Sequence, residues 1–172
     1  VGCGSGKFLK ELRWQKNHEG QLVGVDIARG GFNILESTNY VQASIYALPF
    51  SNSFFEAVTA LHMLSHVPDT ESAMKEIKRV LRPNGVFLAT ANSIFSYPHV
   101  AEYRERVFTA FKWGKPIFTT STSNLENLEE KLSPFWSDVK VRKVEGELSI
   151  PVGVFADYFM ANIPVWSRQP SG

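Results

Sequence analysis

At 172 residues, with 44% apolar and 20% charged side chains, the chain has the size and composition of one soluble globular domain. Eighteen basic and 17 acidic residues leave a formal charge of +1, which excludes a strong field for nucleic acid or an anionic membrane. A single cysteine, Cys3, excludes a disulfide framework and a multi-cysteine metal site, and no metal is expected.

No apolar run has transmembrane length, and no signal-peptide pattern is visible. The chain opens without Met, on what reads as the last residue of a first, central strand. That strand and a preceding segment are expected to be missing, so a cytoplasmic location is a default only.

The opening Val1-Gly2-Cys3-Gly4-Ser5-Gly6-Lys7 reads as a strand end, a glycine turn and a helix start. Glycines there permit positive φ and let a ligand approach the backbone. The helix predicted over residues 5–17 leaves free N–H groups at its N-terminus. Residues 21–26 read as a buried strand ending in Asp26, and residues 28–37 as a helix weakened by Gly30 and Gly31. A strand is predicted over residues 40–43, a loop over 48–52 and a strand over 55–61. Asp69 or Thr70 caps a helix running to about Arg82, with Ala73, Met74, Ile77, Val80 and Leu81 on one face. Pro83-Asn84-Gly85 stops it, and residues 86–91 form a strand apolar enough to be buried on both faces.

Beyond Asn92 the rhythm changes. Helices are predicted over residues 99–111 and 125–132, with a Thr/Ser-rich loop over 119–124. Residues 139–144 and 147–150 read as an antiparallel strand pair, and residues 154–163 as a last amphipathic stretch. The expected fold is α/β: a doubly wound, Rossmann-like, mostly parallel sheet with an antiparallel C-terminal pair. One domain is expected over residues 1–172, with residues 93–135 a lid on the substrate side.

Three features fall at the carboxyl ends of the predicted strands, where open α/β sheets bind ligands. They are the alternating glycines, Asp26 lying 20 residues beyond Gly6, and Ser44-Ile45 after the following strand. A carboxylate at Asp26 can accept from both ribose hydroxyls, so a nucleoside-containing cofactor is expected. A dinucleotide fingerprint would need a third glycine where Lys7 stands, and a P-loop would need Ser or Thr where Phe8 stands.

Taken in order, these segments resemble the class I S-adenosylmethionine-dependent methyltransferases, in particular their small-molecule type 11 branch. The resemblance covers Val1 to about Ser93. It rests on Val-Gly-Cys-Gly-Ser-Gly, Val-Gly-Val-Asp26, the run from Ala47 to Val58, Leu61-His62-Met63-Leu64-Ser65-His66-Val67, and the run from Glu76 to Gly85. It implies S-adenosylmethionine as cofactor, with Gly2, Cys3, Gly4, Gly6, Asp26, Ile27, Ser44, Ile45 and Leu61 around it. Two residues depart from the family pattern: Ser44 stands for the Asp that accepts from the adenine amino group, and Glu56 for the Asp of an "FD" pair.

The implied chemistry is methyl transfer to a small-molecule acceptor, with no nucleic acid or membrane partner. His62, His66, Asn92, Ser93 and Tyr97 follow the two strands that face the acceptor, and His66 or His62 is the candidate general base. Two rivals are a catalytically silent domain that keeps the cofactor fold and an NAD(P)-linked oxidoreductase, the latter disfavoured by Lys7. Cys3 carries two readings: a thiol activated near a helix N-terminus, or a small side chain that fits.

Overall fold

A computed structural model describes residues 1–14, 20–28, 39–114, 123–147 and 149–157. In chain order these form α1 (Lys7–Trp14), β1 (Val23–Asp26), β2 (Asn39–Gln42), β3 (Phe55–Leu61), a 3-10 turn (Leu64–His66), α2 (Thr70–Val80), β4 (Leu81–Thr90), α3 (Pro98–Ala110) and α4 (Leu125–Leu132). Two compact units result. The first comprises Val1–Ile94 and Thr122–Lys140, the second Phe95–Ser121 and Val141–Gly172. None of the described helices is long and apolar enough to cross a membrane.

In the first unit β1 pairs with β2, and β3 with β4, both in parallel. The segment Val1–Cys3 bridges the two pairs. Its Val1 amino group donates to the Thr59 carbonyl of β3 at 2.6 Å, and the Cys3 N–H donates to the Val25 carbonyl of β1 at 3.0 Å. The parallel pairing expected from the sequence is therefore present, as two two-stranded sheets bridged by this segment. The helix predicted over residues 28–37 lies almost wholly outside the described residues, as do the 119–122 part of the Ser/Thr loop and residues 158–163 of the last stretch.

α2 carries the core. Thr70, Ala73, Met74, Ile77 and Val80 recur at helical spacing and are all buried, the last four packing with Val58, Ala60, Leu64 and Leu132. Asp69 caps the helix, its side chain accepting from the Ser72 N–H at 3.0 Å. On its outer edge Glu76 and Arg79 hold the loop that precedes β3. The Arg79 guanidinium donates to both Glu76 carboxylate oxygens, at 2.8 and 2.7 Å, and to the Leu48 carbonyl at 2.9 Å. It also donates to the Phe50 carbonyl at 2.7 Å and to Asn52 Oδ1 at 2.9 Å. Every one of its N–H donors is engaged.

Glu76, with only 14% of its side chain exposed, also accepts from the Leu48 N–H at 2.7 Å. The Arg79 hydrogen bonds hold its carboxyl below the usual glutamate range. A depressed carboxylate stabilises the fold above its ordinary pKa of about 4.3 and loses that contribution as pH falls through the lower folded value. The melting-temperature gap between wild type and Glu76→Gln is thus expected to be widest near pH 7 and to narrow progressively below about pH 4.

Two expectations need correction. β4 starts at Leu81, not Val86, because Pro83-Asn84-Gly85 does not end the element. Leu81 pairs with Phe55, residues 82–85 bulge out, and the ladder resumes at Ala57 opposite Val86. Asn84 takes φ +64°, and a side chain on Gly85 would meet the Arg82 and Glu56 carbonyls at 2.9 and 3.1 Å. The antiparallel pair expected at residues 139–144 and 147–150 is not formed among the described residues. Val141 and Val144 are 45% and 84% exposed, and an isolated two-stranded ribbon is marginal.

The second unit is built on α3. Phe108 is buried and meets the Trp113 ring edge-on at 5.6 Å, while Tyr103 meets Phe155 at 5.8 Å.

Candidate functional site

The glycine turn has the backbone that its composition requires. Gly2, Gly4 and Gly6 take φ of +65°, +50° and +76°. Gly2 and Gly4 need the missing side chain for different reasons. A Cβ on Gly2 would stand 2.6 Å from Met63 Cγ and 2.7 Å from Met63 Cβ, whereas a Cβ on Gly4 would have nothing within 4 Å. The first is a packing contact with the segment after β3; the second opens onto free space. Gly6 closes the turn, its N–H donating to the Cys3 carbonyl at 2.8 Å, and its own carbonyl accepts from the Lys10 N–H inside α1.

Asp26, at the carboxyl end of β1, faces this turn. Its Oδ2 accepts from the Gly4 N–H at 2.8 Å and its Oδ1 from the Ala28 N–H at 2.9 Å. A carboxylate offers about four acceptor positions, so further donors can still be accommodated. The turn after Asp26 is braced from β2. The Tyr40 hydroxyl lies 3.0 Å from the Asp26 carbonyl and 2.9 Å from that of Ala28, donating to one at a time. Gln42 Nε2 donates to the Ile27 carbonyl at 3.1 Å. Ile27 itself is 71% exposed, an apolar surface beside the carboxylate.

Ser44 and Ile45 begin a turn at the end of β2. The Ser44 hydroxyl accepts from the Tyr46 N–H at 3.3 Å, and its carbonyl accepts from the Ala47 N–H at 3.1 Å. Leu61 ends β3 opposite Thr90 of β4. The next residue, His62, is exposed and takes φ +53°, a left-handed backbone uncommon outside glycine. Its N–H is shared between the Thr90 carbonyl at 3.1 Å and the Thr90 hydroxyl at 3.0 Å. His66 closes the 3-10 turn, exposed, with its N–H donating to the Met63 carbonyl at 2.9 Å.

The segment after β4 docks on the N-terminus of α4. The Asn92 carbonyl accepts from the Leu125 N–H, while Glu126 accepts from the Ser93 hydroxyl and the Ile94 N–H. Tyr97 stands at the start of α3 in the second unit, with φ +58°. The structure thus joins Gly4 to Asp26, Gly2 to Met63 and His62 to Thr90. Met63, Tyr40 and Gln42 were not singled out from the sequence. The alternation of Tyr40 and Gln42 along β2 puts them on one face and was a readable signal; nothing in the sequence names Met63 as the partner of Gly2.

Cys3 resolves in favour of the small side chain. A Cβ on Gly24 would stand 3.0 Å from the Cys3 sulfur and 2.9 Å from Leu9 Cδ1, so strand, turn and α1 meet closely here. Burial pushes the thiol pKa up, and the negative charge of Asp26 adds to the rise. Raising an acid's pKa favours its neutral form, so little thiolate is present at neutral pH. Alkylation of Cys3 by iodoacetamide at pH 8 is expected to be slower than that of a free cysteine peptide, with the rate still climbing at the pH where the peptide's rate levels off. Equal rates would contradict the packing described for this sulfur.

Among the described residues, no three His, Cys, Asp or Glu side chains converge as a metal site. The site instead offers a parallel sheet's carboxyl edge, an open glycine turn, a partly engaged carboxylate and an exposed isoleucine. Residues 1–89 match the family model described as "Methyltransferase domain", and the chain belongs to that family. The cofactor this membership implies is S-adenosylmethionine.

Demethylmenaquinone methyltransferase of Staphylococcus aureus (strain MRSA252) is 28% identical over 125 residues, 69% of this chain and 51% of that protein. The chain spans about half the length of the curated relatives it matches. In fold it is similar to a SAM-dependent methyltransferase from Aquifex aeolicus, with TM-score 0.58 and 12% identity over 78% of this chain and 68% of that one. A SAM-dependent methyltransferase from Methanosarcina mazei gives TM-score 0.51 and 20% identity over 77% and 75%. These likenesses establish the class I, Rossmann-like fold.

Proposed function

We propose that the chain transfers a methyl group from S-adenosylmethionine to a small-molecule acceptor. The observation that carries this reading is the Asp26 carboxylate bonded to Gly4 beside an open turn. Gly2, Cys3, Gly4 and Gly6 would lie along the amino-acid end of the cofactor, with Asp26 accepting from its ribose hydroxyls. Ile27 would cover one face of the base, Ser44 and Ile45 would meet its polar edge, and Leu61 would pack beneath the sulfur end. The open space at Gly4 and the spare acceptor positions of Asp26 fit such a group.

The cofactor would supply an activated methyl on a sulfonium. This chain's residues would align an acceptor with that methyl and exclude water. Where the acceptor carries a proton, His66 or His62 would receive it, both being exposed beyond β3. Residues 93–135 would serve the acceptor side; of these, residues 123–135 belong to the first unit. The name of the Staphylococcus aureus relative supports a small-molecule acceptor.

Calorimetric titration with S-adenosylhomocysteine tests the reading, with NADH titrated alongside. Saturable binding of the first and none of the second is expected. Absence of S-adenosylhomocysteine binding overturns the proposal.

A further inference from the structure

Residues 44–52 leave the carboxyl end of β2 and run along α2 before β3 begins, and that helix fixes them at several points. The Tyr46 hydroxyl accepts from the N–H of Asp69, the cap of α2, at 3.1 Å. The Leu48 N–H donates to Glu76, and Arg79 donates to the Leu48 and Phe50 carbonyls and to Asn52. Burial of Leu48 accounts for one anchor in the core, yet Tyr46 is 42% exposed and contributes a polar tether. Loops at strand ends are ordinarily the mobile part of such folds. This one is tied at its start, middle and end to a single helix whose other face is the core.

We propose that Tyr46, Glu76 and Arg79 are positioning residues for the purine end of the cofactor. They act through the turn that presents Ser44 and Ile45. The Tyr46 N–H already donates to the Ser44 hydroxyl, so a shift of Tyr46 moves the group that would meet the base. This inference rests on the cofactor reading above and adds a specificity to it. Loosening the tether weakens ligands that carry a purine and leaves ligands without one unaffected.

The experiment titrates wild type, Tyr46→Phe and Glu76→Gln with S-adenosylhomocysteine and with S-ribosylhomocysteine, which keeps the ribose and amino-acid tail but has no base. Tyr46→Phe removes one oxygen from a half-exposed ring, and Glu76→Gln keeps one acceptor oxygen, so both variants retain the core. The Kd for S-adenosylhomocysteine is expected to rise about tenfold in each variant, with that for S-ribosylhomocysteine unchanged. An equal loss for both ligands marks general loosening and overturns the inference, and so does an unchanged Kd for S-adenosylhomocysteine. Failure of the wild type itself to bind S-adenosylhomocysteine overturns the cofactor reading and this inference with it.

Discussion

Gly2→Ala is expected to destabilise the protein by roughly 2–4 kcal/mol, and Gly4→Ala by only about 1–2 kcal/mol. Both positions have positive φ, so an L side chain is strained at either. Only at Gly2 does the new methyl also collide, 2.6 Å from Met63 Cγ, in a segment fixed by the neighbouring 3-10 turn. Thermal melts of the two variants by circular dichroism should therefore separate clearly, with Gly2→Ala the lower. The ranking reverses for ligand binding per folded molecule. The methyl of Gly4→Ala projects into the space that the proposed cofactor needs, so this variant should stay folded and lose S-adenosylhomocysteine. Equal melting temperatures would contradict the contact between Gly2 and Met63, and retained binding by Gly4→Ala would contradict the location of the site.

The second large effect concerns Asp26. Asp26→Ala is expected to raise the Kd for S-adenosylhomocysteine on the order of 100-fold, since hydrogen bonds to a charged acceptor each contribute about 1.5–3 kcal/mol. The same substitution removes the partner of the Gly4 and Ala28 amides. Hydrogen exchange at Gly4 in the ligand-free protein should accelerate as well. Faster exchange with unaltered affinity would reduce Asp26 to a brace for the turn. No change in either would contradict the geometry around this carboxylate.

What could be read from the sequence was what local pattern determines. β3 and α4 have the bounds expected, and α2 begins at the expected cap and buries the expected face. Each is a short periodic run with clear ends, so neighbours along the chain suffice to define it. The start of β4 was hidden because Pro83-Asn84-Gly85 has the composition of a helix stop. The pairing of Leu81 with Phe55 depends on a strand more than 20 residues away. The C-terminal ribbon was expected from alternation alone, and alternation does not say whether a covering layer exists. In the candidate site the glycines and Asp26 were legible by spacing, whereas the hydrogen bond joining Gly4 to Asp26 is a fact of distance in space. Cys3 shows the same limit. Its closeness to a helix start suggests an acidic thiol, but burial and the Asp26 charge prevail.

The saturated guanidinium of Arg79 also limits how this sequence can drift. Five acceptors from four residues are arranged around one planar fork, and the five N–H groups answer them one to one. Lysine, with three donors on a tetrahedral nitrogen, would leave acceptors unmet whatever rotamer it adopted. A single-step exchange between the two basic residues, mild at most surface positions, is therefore closed here. Phe50 is held through a backbone carbonyl that any side chain would provide, whereas Glu76 and Asn52 are held through side-chain oxygens and Leu48 is also buried in the core. Along a lineage the position should stay arginine while exposed loop positions such as Ala47 and Ser51 change their letters.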